Sequence, residues 1–150
     1  MLLVDVRIKN YKCILDSETF TVDQMTCLVG KNESGKSAIL QALYKLNPVD
    51  KDDIYDALYE YPKMYQTDFE AGEIPDGNTV LISHWKFTEN EITEIDALLG
   101  SGFITKSTIV TITNGYDNHR SWSFEPNFEK LFTKKTADFA SVSYTHLKLP

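Results

Sequence analysis

Residues Gly30-Lys31-Asn32-Glu33-Ser34-Gly35-Lys36-Ser37 constrain this chain more than any other stretch. They fit G-x-x-x-x-G-K-[ST], a pattern that works only where a strand runs into a helix through a glycine loop. Both flanks comply. Met25-Thr26-Cys27-Leu28-Val29 is short, apolar and β-prone, and Ala38 to Leu46 carries Ile39, Leu40, Leu43 and Leu46 at helical spacing. The spacing therefore predicts a strand over 25–29 and a helix from about Lys36 to Leu46.

The chemistry follows from the residue types. Gly30 and Gly35 permit backbone conformations that a side chain resists. Successive N–H groups from about Glu33 to Ser37 can then converge on phosphate oxygens. The helix starting near Lys36 adds leftover N–H groups and the positive end of its dipole. Lys36 is the candidate catalytic cation, reaching β- and γ-phosphates as a point charge. Ser37 supplies a hard oxygen suited to Mg²⁺. Lys31, Asn32, Glu33, Ser34 and Ala38 complete the run of candidate nucleotide contacts. Glu33 sets an acid beside phosphate, so its N–H and not its carboxylate is expected to face the ligand.

The chain has 150 residues, 42% of them hydrophobic, and a formal net charge of −7. That suffices for one modest core and argues against strong nucleic-acid binding by this piece alone. DNA work by a larger assembly stays open. No apolar run approaches a membrane span, and Met1-Leu2-Leu3-Val4-Asp5 lacks the basic start of a signal peptide. Cys13 and Cys27 are the only cysteines. Cys27, in the apolar stretch, is expected to be a buried thiol, and a reducing cytoplasm is the default location. The acids between Asp50 and Asp76 read as a solvated surface excursion. His84, His119 and His146 stand apart from any metal-ligand spacing. Trp85 and Trp122 read as core or sheet-face residues.

Along the chain, Leu2 to Lys9 alternates like a half-buried strand. Ser17 to Val22 reads as a second strand and Asp23-Gln24 as a turn into the third. Asn47-Pro48 stops the loop's helix. A short helix is expected over Asp50–Glu60 and a loop over Gln66–Asn78. Thr79 to Thr88 is a strand. Thr88-Glu89-Asn90-Glu91 is a capping box opening a helix that ends at Gly100. Ser107–Thr113 and Arg120–Phe124 form a hairpin around Asn114–Asn118, and Glu125 to Ala140 is weakly helical.

Hydrolysis by such a site needs an apolar strand ending in Asp, often followed by Glu. None follows the glycine loop. D-x-x-G and N-K-x-D are also missing, which speaks against a small GTPase. The expectation is the front of a larger protein. Residues 1–140 are read as the N-terminal portion of an ATPase domain. Residues 141–150, Ser141 to Pro150, resemble a translated sequencing-adapter scar and are set aside as a non-native or truncated tail.

Ile8-Lys9-Asn10-Tyr11-Lys12, a hairpin, Leu28-Val29-Gly30-Lys31-Asn32-Glu33-Ser34-Gly35-Lys36-Ser37 and an apolar helix resemble the N-terminus of ABC-type chromosomal ATPases. That group includes RecF, the SMC-like proteins and the overcoming-lysogenisation-defect (OLD) family. The Asn32-Glu33 wording, Asn47-Pro48 and Tyr61-Pro62-Lys63 look most like OLD members. The resemblance implies an α/β P-loop NTPase of ABC type, here an incomplete N-terminal lobe with an antiparallel β-subdomain. It implies ATP and Mg²⁺ as cofactors, a homodimer when full length and DNA as partner, with a Toprim nuclease following in OLD members. By family position Lys12 is a nucleotide contact, with surface solvation its alternative. The resemblance specifically covers about residues 1–63. Two other readings stay open: a truncated remnant without function, and a nucleotide-binding subunit of a transporter, which would need a membrane partner.

Overall fold

The computed structural model describes residues 1–31, 34–50, 52–75 and 77–127. The tail at 141–150, the helix expected beyond residue 127, and loop residues Asn32 and Glu33 lie outside the described residues. The chain divides into two compact units. One comprises Leu3–Trp85 with Val110–Ser123, and the other Met1–Leu2, Lys86–Ile109 and the segment starting at Phe124.

The larger unit is built on a mixed α/β plan. Its first strand, β1, spans Leu2–Tyr11 and buries Val6 and Ile8 completely while Arg7 and Lys9 stay partly wet. That is the alternation a one-sided strand requires. Two short strands pair antiparallel with it: β2 (Ile14–Asp16), with Lys9 opposite Asp16 and Tyr11 opposite Ile14, and β3 (Phe20–Thr21), with Val6 opposite Phe20. With β4 (Thr79–Lys86), β5 (Ile109–Gly115) and β6 (Arg120–Phe124) the sheet runs β2-β1-β4-β5-β6, β3 also lying on β1.

Helix α1 covers Lys36–Tyr44. It buries Ala38 and Ala42, not the larger residues the spacing favoured. Ile39, Leu43 and Leu46 pack beside that contact, and Leu40 is 60% exposed. Two alanines four apart make a narrow seam that lets the helix axis approach closely. The core is otherwise aromatic. Tyr61 stacks on Phe69 with ring centroids 4.2 Å apart, and Tyr11, Tyr55 and Tyr116 meet edge to face or tilted around them. Such pairs add modestly to their burial.

Several expected elements differ. Met25–Val29 is not a strand. Met25 and Val29 are 92% and 90% exposed, and Cys27 is exposed, not buried. The stretch leaves the sheet at Val22, whose N–H is bonded to Val4 O. It then turns on Asp23 and Thr26, with Asp23 N–H donating to Thr26 Oγ1. Among the described residues, no neighbouring strand offers the ladder that β-prone residues need. The strand expected over Ser17–Val22 shrinks to Phe20–Thr21 because Ser17 and Asp16 bond the local backbone instead. The helix expected over Asp50–Glu60 contracts to α2, Ala57–Glu60, because Asp56 is extended (φ −119°) and caps it by accepting from Leu58 N–H. The loop expected over Gln66–Asn78 begins instead as helix α3, Gln66–Glu70, entered from a 3-10 turn at Lys63–Tyr65.

In the smaller unit, α4 spans Glu89–Leu99 with the expected capping box complete. Thr88 accepts from Glu91 N–H, and the Glu91 carboxylate accepts from Thr88 N–H. The Met1 ammonium also reaches Glu91, at 2.5 Å. Together these bonds pull the Glu91 carboxyl down to about 2, the ammonium contributing most. Gly100 ends the helix at φ +98°, and Phe103 and Ile104 are buried beyond it.

Candidate functional site

The glycine loop is shaped by close approach. A Cβ on Gly30 would stand 2.8 Å from Ser34 Oγ, so only a residue without one fits there unshifted. Gly35 holds φ +87° and ψ 3° at the N-cap of α1, a left-handed conformation that costs other residues about 1–2 kcal/mol. From that turn the helix begins at once. Ile39 N–H donates to Gly35 O at 2.9 Å, so the N–H groups of Lys36, Ser37 and Ala38 precede the first intrahelical bond. These are the donors a helix leaves over, at its positive end.

Lys36 closes the loop upon itself. Its ammonium donates to Gly30 O at 2.8 Å, Lys31 O at 2.5 Å and Ser34 Oγ at 3.3 Å. The cation is thereby held over the loop by carbonyls that can exchange it for a more strongly charged partner.

A cavity of about 500 Å³ opens at this helix start, lined by Lys12, Cys13, Gly35, Lys36, Ser37, Ala38 and Gln41. Five of the sequence-derived candidates, Lys12, Gly35, Lys36, Ser37 and Ala38, therefore share one wall. Gly30, Lys31 and Ser34 join it through the Lys36 ammonium. The cavity is cationic on two sides and no Asp or Glu stands on the described wall. Glycine turn, leftover N–H groups, two lysines and an exposed hydroxyl at Ser37 make a donor set that fits a phosphate chain with a hard cation.

Lys12 arrives from the sheet. β1 ends in a corner where Asn10 (φ 51°) and Lys12 (φ 53°) are both left-handed around Tyr11. The Lys12 ammonium donates to Gln41 Oε1 at 2.5 Å and lies 5.4 Å from the centroid of the Tyr11 ring. Behind the corner sits Glu60, buried at 9% exposure. Burial pushes its carboxyl up, but hydrogen bonds from Lys45, the Asp56 N–H and Tyr11 outweigh that and bring it below the ordinary range. Burial, then Glu60 itself, pushes the Tyr11 phenol up.

Sequence reasoning missed Gln41 and Glu60. Gln41 stands one turn after Ser37 on the same helix, so its place on the wall follows from helix spacing once the loop is placed. Nothing in the sequence separates Glu60 from the acids around it. Among the described residues no group of His, Cys, Asp and Glu is placed to hold a metal ion, and His146 lies outside them. His84 pairs with Asp5 in the sheet.

The family model described as the AAA ATPase domain matches residues 1–148. The chain belongs to the AAA ATPase domain family. No curated protein matches it. Among solved structures, an SMC ATPase described for ATP-driven dimerization and DNA-stimulated activation aligns at 14% identity. The alignment covers 87% of this chain and 76% of that one, with a TM-score of 0.41. The AAA ATPase assignment rests on the family model alone. Among the described residues no helix is long and apolar enough to cross a membrane.

Proposed function

We propose that this chain binds Mg-ATP through Gly30–Ala38 and Lys12, as the N-terminal part of an ABC-type, DNA-processing ATPase of the OLD, RecF or SMC-like kind. The observation that carries the reading is the single cavity in which Lys12, Gly35, Lys36 and Ser37 meet at the start of α1. In this reading the N–H groups of the first helical turn and Lys36 hold the β- and γ-phosphates. Ser37 offers its hydroxyl to Mg²⁺, which would neutralise charge between the phosphates when bound. Lys12 adds a second cation from the sheet side. Membership of an ATPase family supports nucleotide use. The ABC-type, OLD-like assignment rests on the wording of residues 1–63. A homodimer and DNA as partner follow from that assignment and are proposed with it.

Isothermal titration of the whole chain with Mg-ATP tests the reading. Saturable one-site binding is expected, weakened at least about tenfold by Lys36→Ala, since a charge-assisted phosphate contact is lost. Titration without Mg²⁺ should weaken binding in wild type more than in Ser37→Ala. Absence of binding, or binding indifferent to Lys36→Ala, would overturn it.

A further inference from the structure

Two elements supply the cavity: the β1 corner brings Lys12, and α1 brings Lys36, Ser37 and Gln41. One side chain is bonded to both. Tyr11 Oη donates to Glu60 Oε1 at 2.8 Å, while the Lys12 backbone N–H donates to the main-chain carbonyl of Glu60 at 2.6 Å, a bond independent of the side chain. The Lys12 ammonium itself lies 4.0 Å from Glu60 Oε1. On the other side Lys45, the residue that ends α1, donates to both carboxylate oxygens at 2.8 and 2.9 Å. Asp56 N–H donates to Oε2 at 3.1 Å and fixes the carboxylate's own orientation.

We infer that Glu60 is a positioning residue of the nucleotide site, tying the corner that carries Lys12 to the helix that carries Lys36 and Ser37. This rests on the Mg-ATP reading above. Stability alone accounts poorly for the arrangement, because buried ion pairs contribute little net stability over apolar packing. The geometry of the corner accounts for it better. Asn10 adopts the left-handed region readily, but Lys12 holds there a conformation that a long side chain keeps only where its surroundings over-determine it. The restraints are visible: Tyr116 Oη donates to Asn10 O at 2.6 Å, and Glu60 holds the next two residues. The product of that strain is a lysine directed along α1 to Gln41, one turn from Ser37. Loss of the Glu60 carboxylate frees the Tyr11 hydroxyl and removes the anion beside the Lys12 ammonium, so Lys12 withdraws from the phosphates while the loop and Lys36 stay as they are.

The test is a double-mutant cycle on Mg-ATP affinity in the full chain, with Lys12→Met, Glu60→Gln, the double variant and Lys36→Ala. Lys12→Met removes the charge but leaves the stem against Tyr11. Glu60→Gln is expected to weaken binding about as much as Lys12→Met, on the order of tenfold. The double variant is expected to bind no more weakly than Lys12→Met alone, since Glu60 acts through Lys12. Wild-type affinity in Glu60→Gln, or additive losses in the double variant, overturns the inference while Lys36-dependent binding leaves the nucleotide reading standing. Absence of wild-type binding, or binding indifferent to Lys36→Ala, overturns both. Should Glu60→Gln fail to fold, Tyr11→Phe carries the same cycle, removing one hydroxyl and keeping the ring.

Discussion

Gly35 and Glu60 mark the two ends of what a sequence discloses about single residues. Gly35 is fixed by a motif, and the structure gives its reason: φ +87° and a Cβ that would lie 3.4 Å from Cys13 Sγ and Ile14 Cγ1. Gly35→Ala should destabilise the fold by about 1–2 kcal/mol, read from denaturant midpoints. Wild-type stability in that variant would contradict the left-handed turn. Glu60 has no such signature. Its partners Tyr11 and Lys45 lie 49 and 15 residues away in sequence, beyond any local pattern. Its charge has a measurable consequence. A carboxyl held below its unfolded value stabilises the fold fully above that value, near 4.5, and loses the contribution as pH falls through the folded one. The stability difference between wild type and Glu60→Gln should therefore be constant above about pH 5 and shrink on acidification. A gap that widens in acid would reverse the assigned direction.

Elements were legible where local chemistry decides them. The Thr88–Glu91 capping box, the Gly100 stop, β4 and the strand at Arg120–Phe124 follow from residues within a few positions of one another. Thr88→Ala should cost α4 about 1 kcal/mol and raise exchange of its first-turn amides. Unchanged exchange would show that the cap is not holding the helix. Elements were misread where a partner decides them. Met25–Val29 has strand residues but no ladder among the described residues, and Asp23 with Thr26 offers a competing turn. Helical spacing points to the large apolar residues of α1, whereas the residues it buries are Ala38 and Ala42. The helix expected over Asp50–Glu60 forms only at Ala57–Glu60 because Asp56 caps better than it propagates.

For the molecule as a whole, the glycine loop is the basis of the proposed phosphate chemistry, the family model places the chain among AAA ATPase domains, and only the fold brings Lys12 to the cavity at the start of α1. No local sequence pattern links Lys12 to Lys36, because they lie at separate elements and only tertiary packing brings them to one cavity. The described cavity wall carries two lysines and the Ser37 hydroxyl. Hydrogen exchange with and without Mg-ATP tests the site most directly. New protection should be confined to the loop, the first turn of α1 and the corner at Lys12, and should vanish in Lys36→Ala. Protection centred elsewhere, or none at saturating nucleotide, would contradict the assignment of this cavity as the nucleotide site.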